Sequence, residues 1–337
     1  MQDPGSPPLR YLTAADVRAA MPPLPERLVL AERTMTALVD DADMPAKIGV
    51  HPRPAGSFAH AMPAWLRGSA GDGRDDLLGI KWVSGFGAAN ASRGLPAIHA
   101  IVVLSDALTG EPTAILDGGP ITAERTAAVS GVAIARYAPS VQGRPPRAAI
   151  VGAGVQGHSH VPVIGHVLPT VELAVVDRHP ERAEALAAVA RATEGIGEVR
   201  VAGDLVDATA DADVVVTAAS FTTPEQRGAL DESAVTADAL LVAVDYATLV
   251  SAAVARDAAL FLTDDRAQFL ASRDAGAFDG YPDPSATLGE AILEATSRPP
   301  HGRVLVSHLG VGLADVLFAD AIAGRAADLG LGTVLPR

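Results

Sequence analysis

The chain has 337 residues, 49% of them hydrophobic and 20% charged, long enough for about two domains and too apolar for disorder. Its formal charge of −14 and lack of any basic run argue against nucleic-acid binding, which needs clustered Lys and Arg. There is no cysteine, so disulfides, thiolate metal sites and Cys nucleophiles are excluded.

The first eight residues are rich in Pro and Gly and read as loose, with no apolar signal-type segment, and the longest apolar runs, such as residues 240–244, are strand-length. The expectation is a cytoplasmic protein with no membrane partner. Residues 13–20 and 26–40 carry helical periodicity, and Thr13 three residues before Asp16 is an N-cap pattern. Residues 47–120 read as strands and turns, the strongest strands being 77–84, 98–105 and 113–116. An Ala-rich helix is expected over 121–137, opened by Thr122. Pro139 and the segment Gln142-Gly-Arg-Pro-Pro146 then break the chain and mark a domain boundary.

Beyond that boundary short apolar strands alternate with helices. Strands are expected at 148–151, 171–177, 199–202, 214–219, 240–245 and 260–264, with a clear helix at 180–193. This alternation predicts an α/β fold whose parallel sheet is covered on both faces, and six such strands fit one dinucleotide-binding domain. A further strand, 303–307, and a helix from 313 to about 329 close the chain.

Strand 148–151 runs straight into Gly152-Ala-Gly154-Val-Gln-Gly157. In such a turn the first glycine permits the bend, the second lets the backbone approach a pyrophosphate, and the third allows helix–sheet packing. Asp177 ends the next strand, 20 residues after Gly157, where a carboxylate accepts both hydroxyls of an adenosine ribose. Asp177 favours NAD; Arg178 beside it would suit the extra phosphate of NADP. His158 and His160 follow the turn and read as solvated or helix-capping, and no metal site is expected.

Of 26 basic residues only Lys47 and Lys81 are lysines. A chain that uses arginine everywhere else keeps lysine where a compact ammonium of movable pKa is required. Lys81 lies within the apolar run Leu-Leu-Gly-Ile-Lys-Trp-Val, and Lys47 just before a strand-like stretch. Arg125 lies in the first turns of a helix, where the macrodipole opposes a cation, so an anion is expected to hold it.

The chain resembles the ornithine cyclodeaminase/mu-crystallin family over nearly its whole length. The residues that carry the resemblance are Met62-Pro-Ala, Gly79-Ile-Lys81, Asn90 with Gly94-Leu-Pro96, Asp106-Ala-Leu-Thr-Gly110, Ile121-Thr-Ala-Glu-Arg125-Thr126-Ala-Ala, Gly152-Ala-Gly154-Val-Gln156 and Gly310-Val-Gly-Leu-Ala-Asp315. It implies a Rossmann NAD(P)-binding domain, residues 143–311, and a second α/β domain, residues 1–142 joined by about 312–337, which binds substrate and forms a homodimer. It implies hydride transfer at the α-carbon of a small amino or imino acid: an imine reductase or amino-acid dehydrogenase, with a cyclodeaminase and a non-enzymatic mu-crystallin-like binder as alternatives. Carried over by residue, Lys81 and Asp245 are catalytic; Lys47, His60 and Arg125 bind substrate; Thr126, Gly152, Gly154, Val155, Gln156, Asp177, Arg178, Ala219 and His308 bind the cofactor.

Two departures bear on the substrate. Ornithine cyclodeaminases carry a glutamate two residues before the Met-Pro pair, and His60 stands there; the segment after Asp245 has neither the lysine nor the glutamate of that group. Arg53 and Trp65 are further candidates for shaping the side-chain pocket.

Overall fold

The computed structural model describes residues 8–54, 56–220 and 227–336; most of the N-terminal stretch expected to be loose lies outside them. The first elements are β1 (Leu9–Leu12), α1 (Ala14–Ala19), α2 (Leu24–Asp40), β2 (Ala42–Asp43), β3 (Ile48–Val50), β4 (Phe58–Leu66), β5 (Leu77–Gly85), α3 (Gly87–Ala91), β6 (Ile98–Ser105), β7 (Pro112–Asp117) and α4 (Gly118–Tyr137). The chain continues as β8 (Arg147–Val151), α5 (Val155–Val167), β9 (Val171–Val176), α6 (Pro180–Arg191), β10 (Ile196–Val201), α7 (Leu205–Thr209), β11 (Val214–Thr217) and β12 (Leu240–Ala243). It ends with α8 (Ala252–Asp257), β13 (Leu260–Thr263), α9 (Arg266–Asp274), β14 (Ala286–Thr287), α10 (Leu288–Leu293), β15 (Val304–Ser307), α11 (Gly312–Asp328) and β16 (Thr333–Leu335). Among the described residues no helix is long and apolar enough to cross a membrane.

The chain divides into two compact units. One comprises residues up to Arg125 together with those from Val311 onward; the other is Thr126–Gly310. The division falls inside α4, whereas the sequence places it at the Pro-rich break after that helix.

The first unit is a mixed sheet in the order β16-β1-β7-β6-β5-β4-β2, with β3 on β4. Thr13 starts α1 with a full capping box to Asp16, as its spacing predicts. The nine-residue strand β4 was not among the strongest strand expectations. Its alternation is blurred by Ala, His and Pro, and pairing with β5 along its whole length supplies what propensity does not. One face of this sheet, carrying Met62, Ala64, Val83, Val102 and Leu116, is buried, and α11 packs in the same unit. α4 begins at Gly118, three residues before the expected start, because Asp117 ends β7 and its Oδ1 accepts the Gly119 N–H at 2.9 Å.

The second unit is a parallel sheet in the order β10-β9-β8-β11-β12-β15-β13-β14. All four residues of β11, β12, β13 and β15 are buried, as strands covered on both faces must be. The fold class is α/β, with β10-β9-β8-β11-β12 in the order of a doubly wound nucleotide fold. Beyond β12 the order departs from the simple succession: the late strand β15 inserts between β12 and β13.

Candidate active site

In the first unit, Lys81 sits mid-strand in β5 directly opposite Met62 of β4, on the buried face. It is 1% exposed, a lysine in a position where side chains are ordinarily apolar. Its Nζ lies 2.5 Å from Asp315 Oδ2, and Arg125 Nε donates to Asp315 Oδ1 at 3.1 Å. Asp315 is in the first turn of α11, where the helix dipole favours a carboxylate. The anion expected for Arg125 is therefore part of the chain itself. In the sequence Asp315 is only the last residue of the motif Gly310-Val-Gly-Leu-Ala-Asp315; nothing local marks it, because its two cations come from β5 and α4.

Two cations share one carboxylate, so the buried cluster carries a net +1 when all three are ionised. Burial drives the Lys81 ammonium down to about 7; Asp315 pulls it up, while Arg125 and Lys47 push it further down. Burial alone would raise Asp315, but the Arg125 and Lys81 charges outweigh it and hold the carboxyl below its ordinary value. A group that adds one negative charge beside Lys81 and Arg125 would neutralise the cluster.

His60 shares the Lys81 face of β4 by the two-residue period of a strand. Its ring stacks on Phe58 with centroids 4.6 Å apart, and it faces Gly49 of β3, where a Cβ would come within 2.7 Å of Cδ2. Burial first, then Lys47, His51 and Lys81, lower it to about 4, so the ring is neutral at pH 7. Lys47, half-buried in the loop before β3, is thus within electrostatic reach of both His60 and Lys81. The structure turns Trp65 away from His60 and leaves Arg53 at the surface. Trp65 points to the opposite face of β4 and its Nε1 donates to Asp76 at 3.0 Å, and Arg53 is exposed. Position 65 is five along from 60, an odd offset, and a strand alternates its faces.

In the second unit, β8 enters the turn at Gly152, whose φ of +111° and contact with Ala218 admit no side chain. A Cβ on Gly157 would lie 2.2 Å from Gly152 O, whereas one on Gly154 would meet nothing within 4 Å. Gly154 is the N-cap of α5 and offers no side chain to its first N–H groups, while Val155 is 70% exposed. Open space before an uncapped helix start suits a phosphate. Gln156 Oε1 is buried without a hydrogen-bond partner. Asp177 takes N–H groups from Ala153 at 2.7 Å and His179 at 2.9 Å, which ties the turn to the end of β9; Arg178 is exposed. A carboxylate that accepts two bonds retains acceptor capacity for ribose hydroxyls, so the residues fit a dinucleotide.

Asp245, 2% exposed, follows β12 at the carboxyl end of the sheet. It accepts from the Thr217 hydroxyl at 2.8 Å and the Ala219 N–H at 3.1 Å, and burial raises it to about 7. His308 follows β15 at the same end, its N–H on Ala243 O, and Thr126 is buried on α4. His158 is exposed, but His160 is not the solvated residue expected: it is wholly buried on α5. Among the described residues no group of His, Asp or Glu could hold a metal ion.

The ornithine cyclodeaminase/mu-crystallin family matches residues 17–259. The chain belongs to this family. A nodulation efficiency protein of Rhizobium meliloti is 34% identical over 334 residues, 97% of this chain and 98% of that protein. Delta(1)-pyrroline-2-carboxylate reductase 1 of Burkholderia multivorans is 32% identical over 240 residues, 69% of this chain and 72% of the reductase. A solved structure, the Delta(1)-pyrroline-2-carboxylate reductase of Thermococcus litoralis with NADH and L-proline, matches at a TM-score of 0.83 and 22% identity, over 97% of this chain and all of that one. At that identity the likeness is one of fold.

Proposed function

We propose that this protein is an NAD-dependent imine reductase that acts on a small α-imino acid and, in the opposite direction, oxidises the α-amino acid. The observation that carries this reading is the buried Lys81–Asp315–Arg125 cluster, one positive charge in excess and able to receive an α-carboxylate. The relationship to pyrroline-2-carboxylate reductases supports the reaction class.

The residues divide the work. Gly152, Gly154, Val155, Gln156 and Asp177 hold the dinucleotide, with Thr126, Ala219 and His308 as further contacts. Bound there, the nicotinamide supplies the hydride for the substrate's α-carbon. Lys81 and Arg125, with Lys47, hold the carboxylate and keep the α-imine polarised by nearby positive charge. Lys81 and Asp245, both brought to about 7, are each able to hold or give up the proton that the imine nitrogen takes. Asp177 supports NAD over NADP, since a carboxylate repels a 2′-phosphate.

His60 argues against a diamine substrate. It is neutral and its electrostatic neighbours are Lys47, His51 and Lys81, so a distal ammonium would meet positive charge.

The unit that holds Lys81 also supports a homodimer. The face of its sheet opposite Lys81 carries Tyr11, Pro63, Ile80, Trp82, Ile101 and Val103, with Trp82 45% and Ile101 43% exposed. An apolar sheet face of that kind is stabilised by a second copy. Dependence on a nicotinamide cofactor supports work in the cytoplasm.

The test is NADH consumption with a panel of cyclic imino acids, and with 2-oxo acids plus amines. Turnover with a cyclic imino acid is expected. Ammonia release from ornithine or lysine without any NADH consumption would instead make it a cyclodeaminase. If Lys81→Met leaves NADH binding intact and no substrate turns over with the natural sequence, the mu-crystallin-like binder is the better reading.

A further inference from the structure

The second unit contains a buried chain of polar side chains of which the chemistry above uses only His308. Ser130 of α4 and His160 of α5 are wholly buried, and His308 is 3% exposed. His160 Nδ1 is 2.6 Å from Gln156 O, His160 Nε2 is 2.8 Å from Ser130 Oγ, and Ser130 Oγ is 2.9 Å from His308 Nε2.

Hydrogen-bond bookkeeping sets the direction of this chain. A carbonyl oxygen only accepts, so His160 Nδ1 must carry a hydrogen. Desolvation in its closed site lowers His160 to about 4, so the ring is neutral and its Nε2 is a bare acceptor. The single hydroxyl hydrogen of Ser130 must then point to His160. Ser130 Oγ, having spent its donor, can only accept from His308, which must carry its hydrogen on Nε2. The opposite direction would require a charged His160 in a site with no anion among its contacts, at the full cost of burying that charge.

We propose that Ser130 and His160 are positioning residues that fix His308 in its Nε2–H form, so that any further bond His308 makes is through Nδ1, as an acceptor while the ring is neutral. The direction is set three hydrogen bonds away, at the Gln156 carbonyl in the first turn of α5, the turn that follows the Gly-rich loop. His308 closes the chain at the carboxyl end of β15, beside the strand that leads to Asp245. A matching ligand group is a hydrogen-bond donor, such as a hydroxyl or a carboxamide N–H, rather than an anion.

The test is long-range 1H–15N correlation of the imidazoles in the full-length protein labelled at its histidines, without substrate, so it is independent of whether the enzyme reading holds. His160 is expected as the neutral Nδ1–H form and His308 with its hydrogen on Nε2. In Ser130→Ala, the His308 Nε2 signal is expected to shift as it loses its Ser130 acceptor while His160 stays fixed by Gln156; Ser130→Thr restores the natural pattern. A hydrogen on His160 Nε2, a bare His308 Nε2, or a His308 signal unchanged in Ser130→Ala would overturn the proposal. Should Ser130→Ala fail to fold, the two ring patterns of the natural protein decide it alone.

Discussion

The ammonium of Lys81 lies 2.5 Å from Asp315 Oδ2, and neither side chain has more than 2% of its surface exposed to solvent. A buried pair of this kind is held together chiefly by the cost of leaving either member alone. Asp315 also serves Arg125, so its removal strands two cations at once.

Asp315→Asn is therefore expected to destabilise the fold by about 3–5 kcal/mol, the range for breaking a buried ion pair. Denaturant unfolding checks it. In the double variant Asp315→Asn with Lys81→Met, part of the loss should be recovered, because one stranded charge is gone. Simple additivity of the two losses would contradict the sharing.

Lys81 must be charged to receive a carboxylate. Its folded pKa of about 7 lies below its ordinary value, so the free protein loses the charge as pH rises through 7. kcat/KM for imine reduction should fall about tenfold per pH unit above that point. The substrate carboxylate adds a negative charge beside the ammonium, so the corresponding limb of kcat should lie at higher pH. Coincident limbs in both profiles would count against carboxylate binding at Lys81.

Asp245 has the opposite displacement. Its folded pKa is raised to about 7 from 3.8, so its stabilising contribution is complete below pH 4 and is lost as pH rises through 7. Asp245→Asn keeps the neutral form. Stability curves of the variant and the natural protein should diverge between about pH 4 and 7 by up to about 1.4 kcal/mol per pH unit, with the variant more stable at the alkaline end. Parallel curves would show that Asp245 ionises without penalty.

Gly154 separates fold from cofactor. A Cβ there meets nothing within 4 Å, so Gly154→Ala should shift the melting temperature by less than about 4 °C. It should weaken NADH binding at least roughly tenfold, since the added methyl occupies the approach to the pyrophosphate. Gly157→Ala, whose Cβ would lie 2.2 Å from Gly152 O, should destabilise the fold instead. Fluorescence titration and thermal melts of both variants check this.

The parts of the site that were legible in the sequence are those whose chemistry is local. A Gly-rich turn between a strand and a helix declares itself within ten residues, and Lys81 stood out by being a lysine in an apolar run. Arg125 announced that an anion was missing, but not which one. Asp315 lies 190 positions away and becomes meaningful only when α11 meets the sheet. His160 was misread because the glycines around it suggest exposure, whereas the helix they begin turns that ring inward. Strand order was illegible for a related reason: an apolar run states that it is buried, not between which neighbours. Thus 303–307 read as one more strand at the end rather than as an insertion.

That insertion bears on how the chain assembles during synthesis. Until residue 307 has left the ribosome, β12 and β13 have no strand to join them, and the parallel sheet is two fragments with open edges. The first unit waits on the same stretch, because α11 and β16 come last of all. A nascent chain that has reached only residue 303 would expose bare strand edges and apolar surface in both units, the condition in which chaperones bind and aggregation begins.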